Sequence, residues 1–578
     1  MITPHRASCL FASLVLLCDP GAARAQRADL VLIGGTVVTV DPARSEGEAV
    51  AIRGHEILAV GTDAEIRALV GEDTEVIDVG GRLVIPGFIE GHGHFMGLGQ
   101  AQMNLDLTTA TSWQDIVDMV AAAAREAEPG DWILGRGWHQ EKWQRTPERL
   151  IDGVPTHETL SAVSPDNPVL LTHASGHAAF ANARALELAG ITRDTPDPDG
   201  GTIVRDGSGE ATGLLRETAD ELVGRALARD RASQDDAQRA RRTRQAVQLA
   251  GWEAITNGVT SFHDAGSGFG TIDLFRRLAD RGELPVRLYV MVRDDVGELA
   301  EKLDEYRMIG YADAFLTVRA IKLSIDGALG SHGAWLLEPY TDMPETSGLN
   351  TTPLSVAERV ADLAIEHGYQ LNIHAIGDRA NREVLDLYEA TFRESPSPTP
   401  QRWRIEHAQH LHPADIARFG ELGVIASMQA VHATSDGPWV PRRLGPERAE
   451  SGAYVWRDLI DSGALVTNGT DVPVERIDPI ANFHAAVTRR LADGSTFYAD
   501  QRMTRMEALR AYTINNAYAA FQESSLGSIT PGKLADLVVL SANILTIPAD
   551  QIPDAEVVMT ILGGEIVYRS PDALTPDP

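Results

Sequence analysis

The residues with the most chemical content begin in the stretch RLVIPGFIEGHGHFMGLG, 82–99, where an apolar run ends in His92 and His94. Two apart on a strand, these imidazoles point to the same side, so one metal could hold both. Alone, the pair reads more simply as a polar turn after a buried strand. Four further positions change that weighing. Lys322 lies inside the apolar run RAIKLSIDG, where an unpaired ammonium is costly to bury. His374 falls in LNIHAIGD, His407 in RIEHAQH and Asp471 in TNGTDVP. Each has a plain alternative: a satisfied strand-end histidine, or an aspartate opening a turn before Pro473. Together they set nitrogen and oxygen metal donors at the ends of five apolar runs. That chemistry is hydrolysis by metal-activated water.

The elements that must position these groups follow from the pattern around them. Eight apolar runs are candidate strands: 83–92, 258–266, 285–292, 318–327, 369–378, 402–410, 423–431 and 464–472. Helical stretches such as SVAERVADLAIEHG and HPADIARFGELG alternate with them, which predicts βα units and a parallel sheet. Eight such strands predict an α/β fold of the closed (β/α)8, TIM-like barrel type over 89–522, whose chemistry sits where strands end. The gap between the first two strands is too long for one crossover helix. It reads as an insertion over about 100–250, opening with the helix SWQDIVDMVAAAAREA and closing with SQDDAQRARRTRQAVQLAGWEAITNG. Short β-branched runs separated by glycine turns occupy both chain ends. Segments 26–88, read as an antiparallel meander, and 523–570 predict one small composite β-sandwich.

Bulk properties bound the function. The chain has 578 residues, a formal net charge of −31 and a pI near 4.9. Nucleic acid and anionic membranes need basic patches, so neither is an expected partner. His5 and Arg6 precede the run CLFASLVLLC, followed by ARA at 23–25. This predicts a secretory signal peptide over 1–25, and a periplasmic or secreted protein with no membrane anchor in mature form. Both cysteines, Cys9 and Cys18, lie in that segment. The mature chain then has no disulfide, thiolate nucleophile or cysteine ligand.

The motifs PGFIEGHGHF, IKLSIDGALGS, NIHAIGDRA, RIEHAQ and NGTDVPV, in this order, resemble the amidohydrolase superfamily, in particular its YtcJ-like branch (the amidohydrolase family 3 type). The resemblance spans nearly the whole mature chain. It implies that His92, His94 and Asp471 bind one divalent metal, that His374 and His407 bind a second, and that Lys322 bridges them as a CO2-derived carbamate. Such a carbamate would also remove the lysine's burial problem. An all-N/O donor set suits zinc and is compatible with manganese or iron. An uncarboxylated Lys322 with a single metal is the alternative. Two metals lower the pKa of a water between them, and Asp471 would shuttle its proton to the leaving nitrogen.

Weaker candidates surround this set. THASGHAAFANARAL carries His173, His177 and Asn182, with His177 the best candidate for an oxyanion or substrate contact. Trp138, His139 and Trp143 could line an apolar pocket or simply pack, and His263 ends the second strand. Asp326 and Asp378 could orient Lys322 and His374 from behind. Strand alternation points Arg404 and Glu406 away from His407, towards the helices or the backing of the site, and His410, His412 and His432 read as loop residues.

The leading expectation is an exported metal-dependent hydrolase of the C–N bond of a small N-substituted amide or formamide. Alternatives are an ester, lactone or dipeptide hydrolase on the same site, a mononuclear heterocycle deaminase, and a non-catalytic metal- or ligand-binding protein. A homodimer is compatible with the resemblance, although no surface stripe in the sequence demonstrates one.

Overall fold

In a computed structural model of the protein, residues 27–145, 150–233 and 235–571 are described. The signal segment expected at 1–25 lies outside them. The centre of the molecule is a parallel sheet of eight strands: β1 (Phe88–Gly93), β2 (Val259–Ser267), β3 (Arg287–Val292), β4 (Leu316–Ser324), β5 (Gln370–Ala375), β6 (Arg404–His407), β7 (Ile425–Met428) and β8 (Val466–Asn468). They hydrogen-bond in sequence order from β1 to β8, every ladder parallel. All eight runs read from sequence as strands contain one. Most strand positions are buried on both faces, as a sheet wrapped by helices requires.

The barrel closes between β8 and β1. The Asp471 amide donates to the His92 carbonyl at 2.8 Å and the His94 amide to the Val472 carbonyl at 2.7 Å. Below them the Asn516 side-chain amide donates to the carbonyls of Ile89, at 2.7 Å, and Asn468, at 2.8 Å. Gly91 permits this seam, because a Cβ there would lie 2.5 Å from the Asn468 carbonyl oxygen. The seam therefore brings Asp471 directly against the two opening histidines.

The two chain ends meet in a pair of stacked sheets. One contains Leu30–Ile33, Ala49–Arg53, Glu56–Gly61 and Glu75–Asp78; the other joins Thr36–Asp41, Arg44–Gly47 and Leu83–Pro86 to Leu537–Leu540, Val557–Leu562 and Glu565–Arg569. Leu83–Pro86 and Leu537–Leu540 pair antiparallel and stitch the termini together. Leu32, Val50, Ile52, Val84, Leu537 and Ile561 fill the space between the sheets, each contributing roughly 1.5–3 kcal/mol by burial. The N-terminal block is not the simple antiparallel meander expected from its glycine turns. Leu30–Ile33 pairs parallel with Glu75–Asp78, and Thr36–Asp41 parallel with Leu83–Pro86. In each case the chain between the partners is long enough for a crossover.

Helices α1 (Phe95–Ala101) and α2 (Asp236–Thr256) pack on each other beside the barrel. Between them the inserted region builds a six-stranded sheet of its own, Leu105–Asp106, Ile133–Trp138, Val169–His173, Ala178–Ala181, Gly201–Arg205 and Ala211–Glu217. The expected opening helix is present as Trp113–Glu126, and its buried Trp113, Ile116, Val117 and Val120 pack on that sheet's core. The sheet was not anticipated: its strands are short, and several are interrupted by glycine.

Candidate metal centre

Six side chains converge at the C-terminal mouth of the barrel. His92 and His94 leave β1 at its end, with ring centres 5.8 Å apart. The Nε2 atoms of His92 and His94 lie 3.6 and 3.2 Å from Asp471 Oδ1. Lys322 comes from β4, its Nζ 3.5 Å from His92 Nε2. His374, from β5, and His407, from β6, stand with ring centres 4.5 Å apart, and His407 is 4.7 Å from the His92 ring. The donor atoms of His92, His407 and Asp471 all lie within 4.8 Å of one another. His407 thus stands as near to His92 as His94 does, although the sequence resemblance divides His92 and His407 between two ions.

The backbone explains how His407 reaches this group. Arg404 and Glu406 point into the barrel, not towards the helices, so alternation would aim His407 outwards. A left-handed turn at His407 (φ +77°) and Ala408 (φ +44°) breaks the alternation and swings the ring back over the mouth. Beneath it, Glu406 accepts from His92 Nδ1, leaving Nε2 to face the site. Arg404 lies 2.7 Å from Glu406 and also donates to the Gly91 carbonyl and Ser427 Oγ. Gln429 Oε1 stands 2.8 Å from His407 Nδ1 in the corresponding position.

Burial sets the protonation of these groups. Desolvation pushes His92 down to about 4 and holds His374 and His407 well below the ordinary histidine value, so all three are neutral and able to ligate. Burial works against ionised Asp471, yet His94, His92 and His407 more than offset it and hold its carboxyl well below the usual range. Lys322, 4% exposed, is pushed down to about 8, chiefly by burial. His374 Nε2 and Asp471 Oδ1 are buried without a well-aligned hydrogen bond among the described residues, although Asp326 and His94 stand 3.4 and 3.2 Å from them. Such orphaned atoms ordinarily cost about 1–3 kcal/mol each. Neutral imidazoles, an anionic carboxylate and orphaned N and O atoms facing one space fit a divalent cation.

A cavity of about 510 Å³ opens above the centre and is lined by His94, His177, Lys322, His374, His407 and Asp471, among others. A smaller compartment of about 50 Å³ adjoins it, walled by Leu329, Ile376 and Trp439 and sharing His177 and Asp471 with the larger one. His177 comes from the insertion and places its ring 5.0 Å from His374. Its Nδ1 is 2.7 Å from Glu217 Oε2. Burial disfavours a charged His177, but Glu217 more than offsets this and raises its pKa.

Other expected site residues stand elsewhere. Asn182 is fully buried as the N-cap of Ala183–Ala189, and its amide nitrogen donates to Ser164 and Asn167, so it is structural. Trp138 is buried in the insertion core, where it donates to the Leu171 carbonyl and packs on Trp143 and Phe180. His173 bonds Ser175 and Gln140 and faces a separate cavity. His263 lies below the metal donors, 3.2 Å from Arg404 Nη1 and packed on Tyr289, inside the barrel rather than in the cavity. His410 and His432 are buried; His432 lies in the short helix Ala430–Asp436 rather than in a loop, and bonds Gln409.

Asp326 does back the site. It accepts from the amides of Trp335, Ile376 and Gly377 and lies 3.4 Å from His374 Nε2. Asp378 does not, because its carboxylate is used by the amides of Leu337 and Arg379 at the start of a helix. Glu406 and Glu217 are the partners of His92 and His177. Glu406 had the signal that exposed Lys322, a charge inside an apolar strand. The pairing of Glu217 with a histidine 40 positions away has no counterpart in local sequence.

Comparison with known proteins adds three findings. The family profile described as "Amidohydrolase family" matches residues 75–568. Among relatives, "Putative amidohydrolase YtcJ" of Bacillus subtilis is 32% identical over 93% of this chain and 98% of its own length. "N-substituted formamide deformylase" of Arthrobacter pascens is 31% identical over 94% of this chain and 99% of its own. Among solved structures, an uncharacterized metal-dependent hydrolase from Pyrococcus horikoshii superposes with a TM-score of 0.71 at 26% identity, covering 90% of this chain and 99% of that one.

Proposed function

The chain belongs to the YtcJ-like branch of the amidohydrolase family, metal-dependent hydrolases of carbon–nitrogen bonds, and we propose that it cleaves a small N-substituted amide, with formamides the first class to test. The observation that carries this reading is the convergence of His92, His407 and Asp471 within 4.8 Å at the barrel mouth, ringed by His94, Lys322 and His374. The formamide preference comes from the name of the Arthrobacter pascens relative.

In this reading His92, His94, His374, His407, Asp471 and Lys322 hold two divalent ions, zinc by donor type. Lys322 acts as a carbamate: burial that lowers its pKa favours the neutral amine, the form that reacts with CO2. When bound, such ions acidify water and polarise a carbonyl. The chain's own groups then handle position and protons. Glu406 and Gln429 fix the ring orientation of His92 and His407. Asp471 takes a proton from the attacking water and delivers it to the leaving nitrogen as the C–N bond breaks and a C–O bond forms. His177, biased by Glu217 towards its charged form, donates to the carbonyl oxygen as negative charge develops there.

The test is metal content per chain, by elemental mass spectrometry on protein purified without chelator and with bicarbonate, alongside a screen of N-formyl and N-acyl amines. Two ions per chain with amide turnover that a chelator abolishes is the expected result. One ion would replace the carbamate with an uncarboxylated Lys322, and none after adding zinc or manganese would end the reading. Asp471→Asn is expected to reduce kcat by more than about a hundredfold while retaining most of the metal. Unchanged turnover would remove its role as proton shuttle.

A further inference from the structure

Two arginines in the wall of the larger cavity have no ion-pair partner among the described residues; Asp471 is the acid that Arg136 feels, from beyond ion-pair distance. Arg136 lies on the insertion strand Ile133–Trp138 and Arg293 directly follows β3, and both line the cavity that holds His94, Lys322 and Asp471. Arg136 is held by backbone alone. Its Nε donates to the Pro473 carbonyl and one Nη to the Ala174 carbonyl, each at 3.2 Å, so most of its five donors have no partner among the described residues. Two carbonyls fix the guanidinium plane without neutralising it. The Arg293 amide donates to the Ser267 carbonyl at 3.0 Å, but its side chain makes no hydrogen bond or ion pair among the described residues; Glu221 is the acid it feels, from a distance.

The surroundings keep these charges available. Arg293 lies across Gly266 (φ +131°), where a Cβ would stand 2.9 Å from its Cδ, so the strand end is shaped around the side chain. Of the acids on the same wall, Asp471 and Asp326 belong to the candidate metal centre and its backing, and the other three are engaged or weakened. Glu217 is taken by His177, Glu221 stands 3.6 Å from Arg225, and burial, with Glu217 and Glu221, raises Asp220 to about 7. Arg293 is exposed and Arg136 half-buried, so both present free donors to the cavity, and a planar guanidinium fork matches a carboxylate in two-point contact.

We infer that Arg136 and Arg293 form an anion subsite for the amine half of the substrate, so that the preferred amide carries a carboxylate near its nitrogen: a short N-acyl or N-formyl amino acid rather than a neutral alkyl formamide. This rests on the amide reading above. The adjoining compartment of about 50 Å³, walled by Leu329, Ile376 and Trp439, suits the short acyl half.

N-formylphenylalanine and N-(2-phenylethyl)formamide differ only in the carboxylate and make the probe pair. The metal-loaded wild type is expected to show a kcat/KM at least tenfold higher for the anion. Arg293→Gln is expected to lower that anion-to-neutral ratio at least tenfold, mainly through KM, with Arg293→Lys restoring part of it and Arg136→Gln giving an independent loss. A wild-type ratio near one, or a ratio unmoved in both glutamine variants, overturns the subsite. If neither compound is cleaved, the amide reading fails separately, and the two become plain ligands for titration calorimetry. Binding of the anion at least tenfold tighter than the neutral compound, with that margin lost in Arg293→Gln, still supports the subsite; equal binding overturns it.

Discussion

Glu406 is wedged between His92 and Arg404, fully buried, and ties the His92 ring to a charge that has no route to water. The carboxylate therefore serves two ends. Glu406→Gln should weaken metal binding by roughly 10–100-fold, because His92 loses its anionic anchor. It should also destabilise the fold by about 3–5 kcal/mol, because Arg404 is left buried without its partner. Metal titration calorimetry and urea melts read the two effects separately; loss of neither would mean that Glu406 does not orient His92. Glu90, two residues before His92, behaves differently. Burial pushes its carboxyl up to about 8, despite hydrogen bonds from Thr470, and Tyr512 donates to its other oxygen. The native protein then keeps a proton that the unfolded chain releases near 4.5, so stability falls as pH rises through that window, by on the order of 1 kcal/mol per pH unit. Glu90→Gln should remove that slope, gaining on wild type between pH 5 and 8. Parallel stability curves for the two proteins would contradict it.

At the level of elements, a buried ion pair joins the barrel to the composite sandwich. Arg287 opens β3 and Asp536 immediately precedes Leu537–Leu540; the guanidinium meets the carboxylate at 2.7 and 3.1 Å, with 2% and 5% of the side chains exposed. Asp536 also accepts from the Gly563 amide. The bidentate pair is buried where a strand of each part begins. Asp536→Ala should cost about 3–5 kcal/mol by leaving Arg287 uncompensated, while Arg287→Met with Asp536→Ala together should recover part of that loss. Equal melting of the single and double variants would show that the pair is not coupled. The same economy operates at β6, where one left-handed turn lets a single short strand send Glu406 inwards and His407 upwards.

Across the whole molecule, the catalytic mouth is assembled from parts distant in sequence. The insertion supplies His177, Glu217 and Arg136, the barrel supplies His94, Lys322, His374, His407 and Arg293, and the β1–β8 seam supplies Asp471. Changes where the insertion sheet meets the barrel should therefore alter substrate selectivity more than metal content. The N-terminal segment reads as an export signal on its own pattern. Expressed at full length in a secreting bacterium, the protein should be recovered from the periplasm or medium with a mature N-terminus at Gln26. Recovery from the cytoplasm with residues 1–25 intact would reject export.

Local sequence determined which groups could ligate and which strands carried them. His92, His94, Lys322, His374, His407 and Asp471 announce themselves because polar metal donors inside or at the ends of apolar runs are expensive without a purpose, and the eight runs were legible because a parallel barrel buries both faces of each strand. The split sandwich was legible too, from matching β-branched blocks at both ends. What only the tertiary structure decided are pairings between segments far apart in the chain and local breaks of periodicity. His177 meets Glu217, His92 meets Glu406, and Arg136 rests on carbonyls of Ala174 and Pro473; none of these has a spacing signature. Asn182, Trp138 and His263 carry suitable chemistry, but capping, core packing and the barrel interior claim them first. A residue's type fixes what it can do, whereas its partners are chosen by a chain path that spacing alone does not encode.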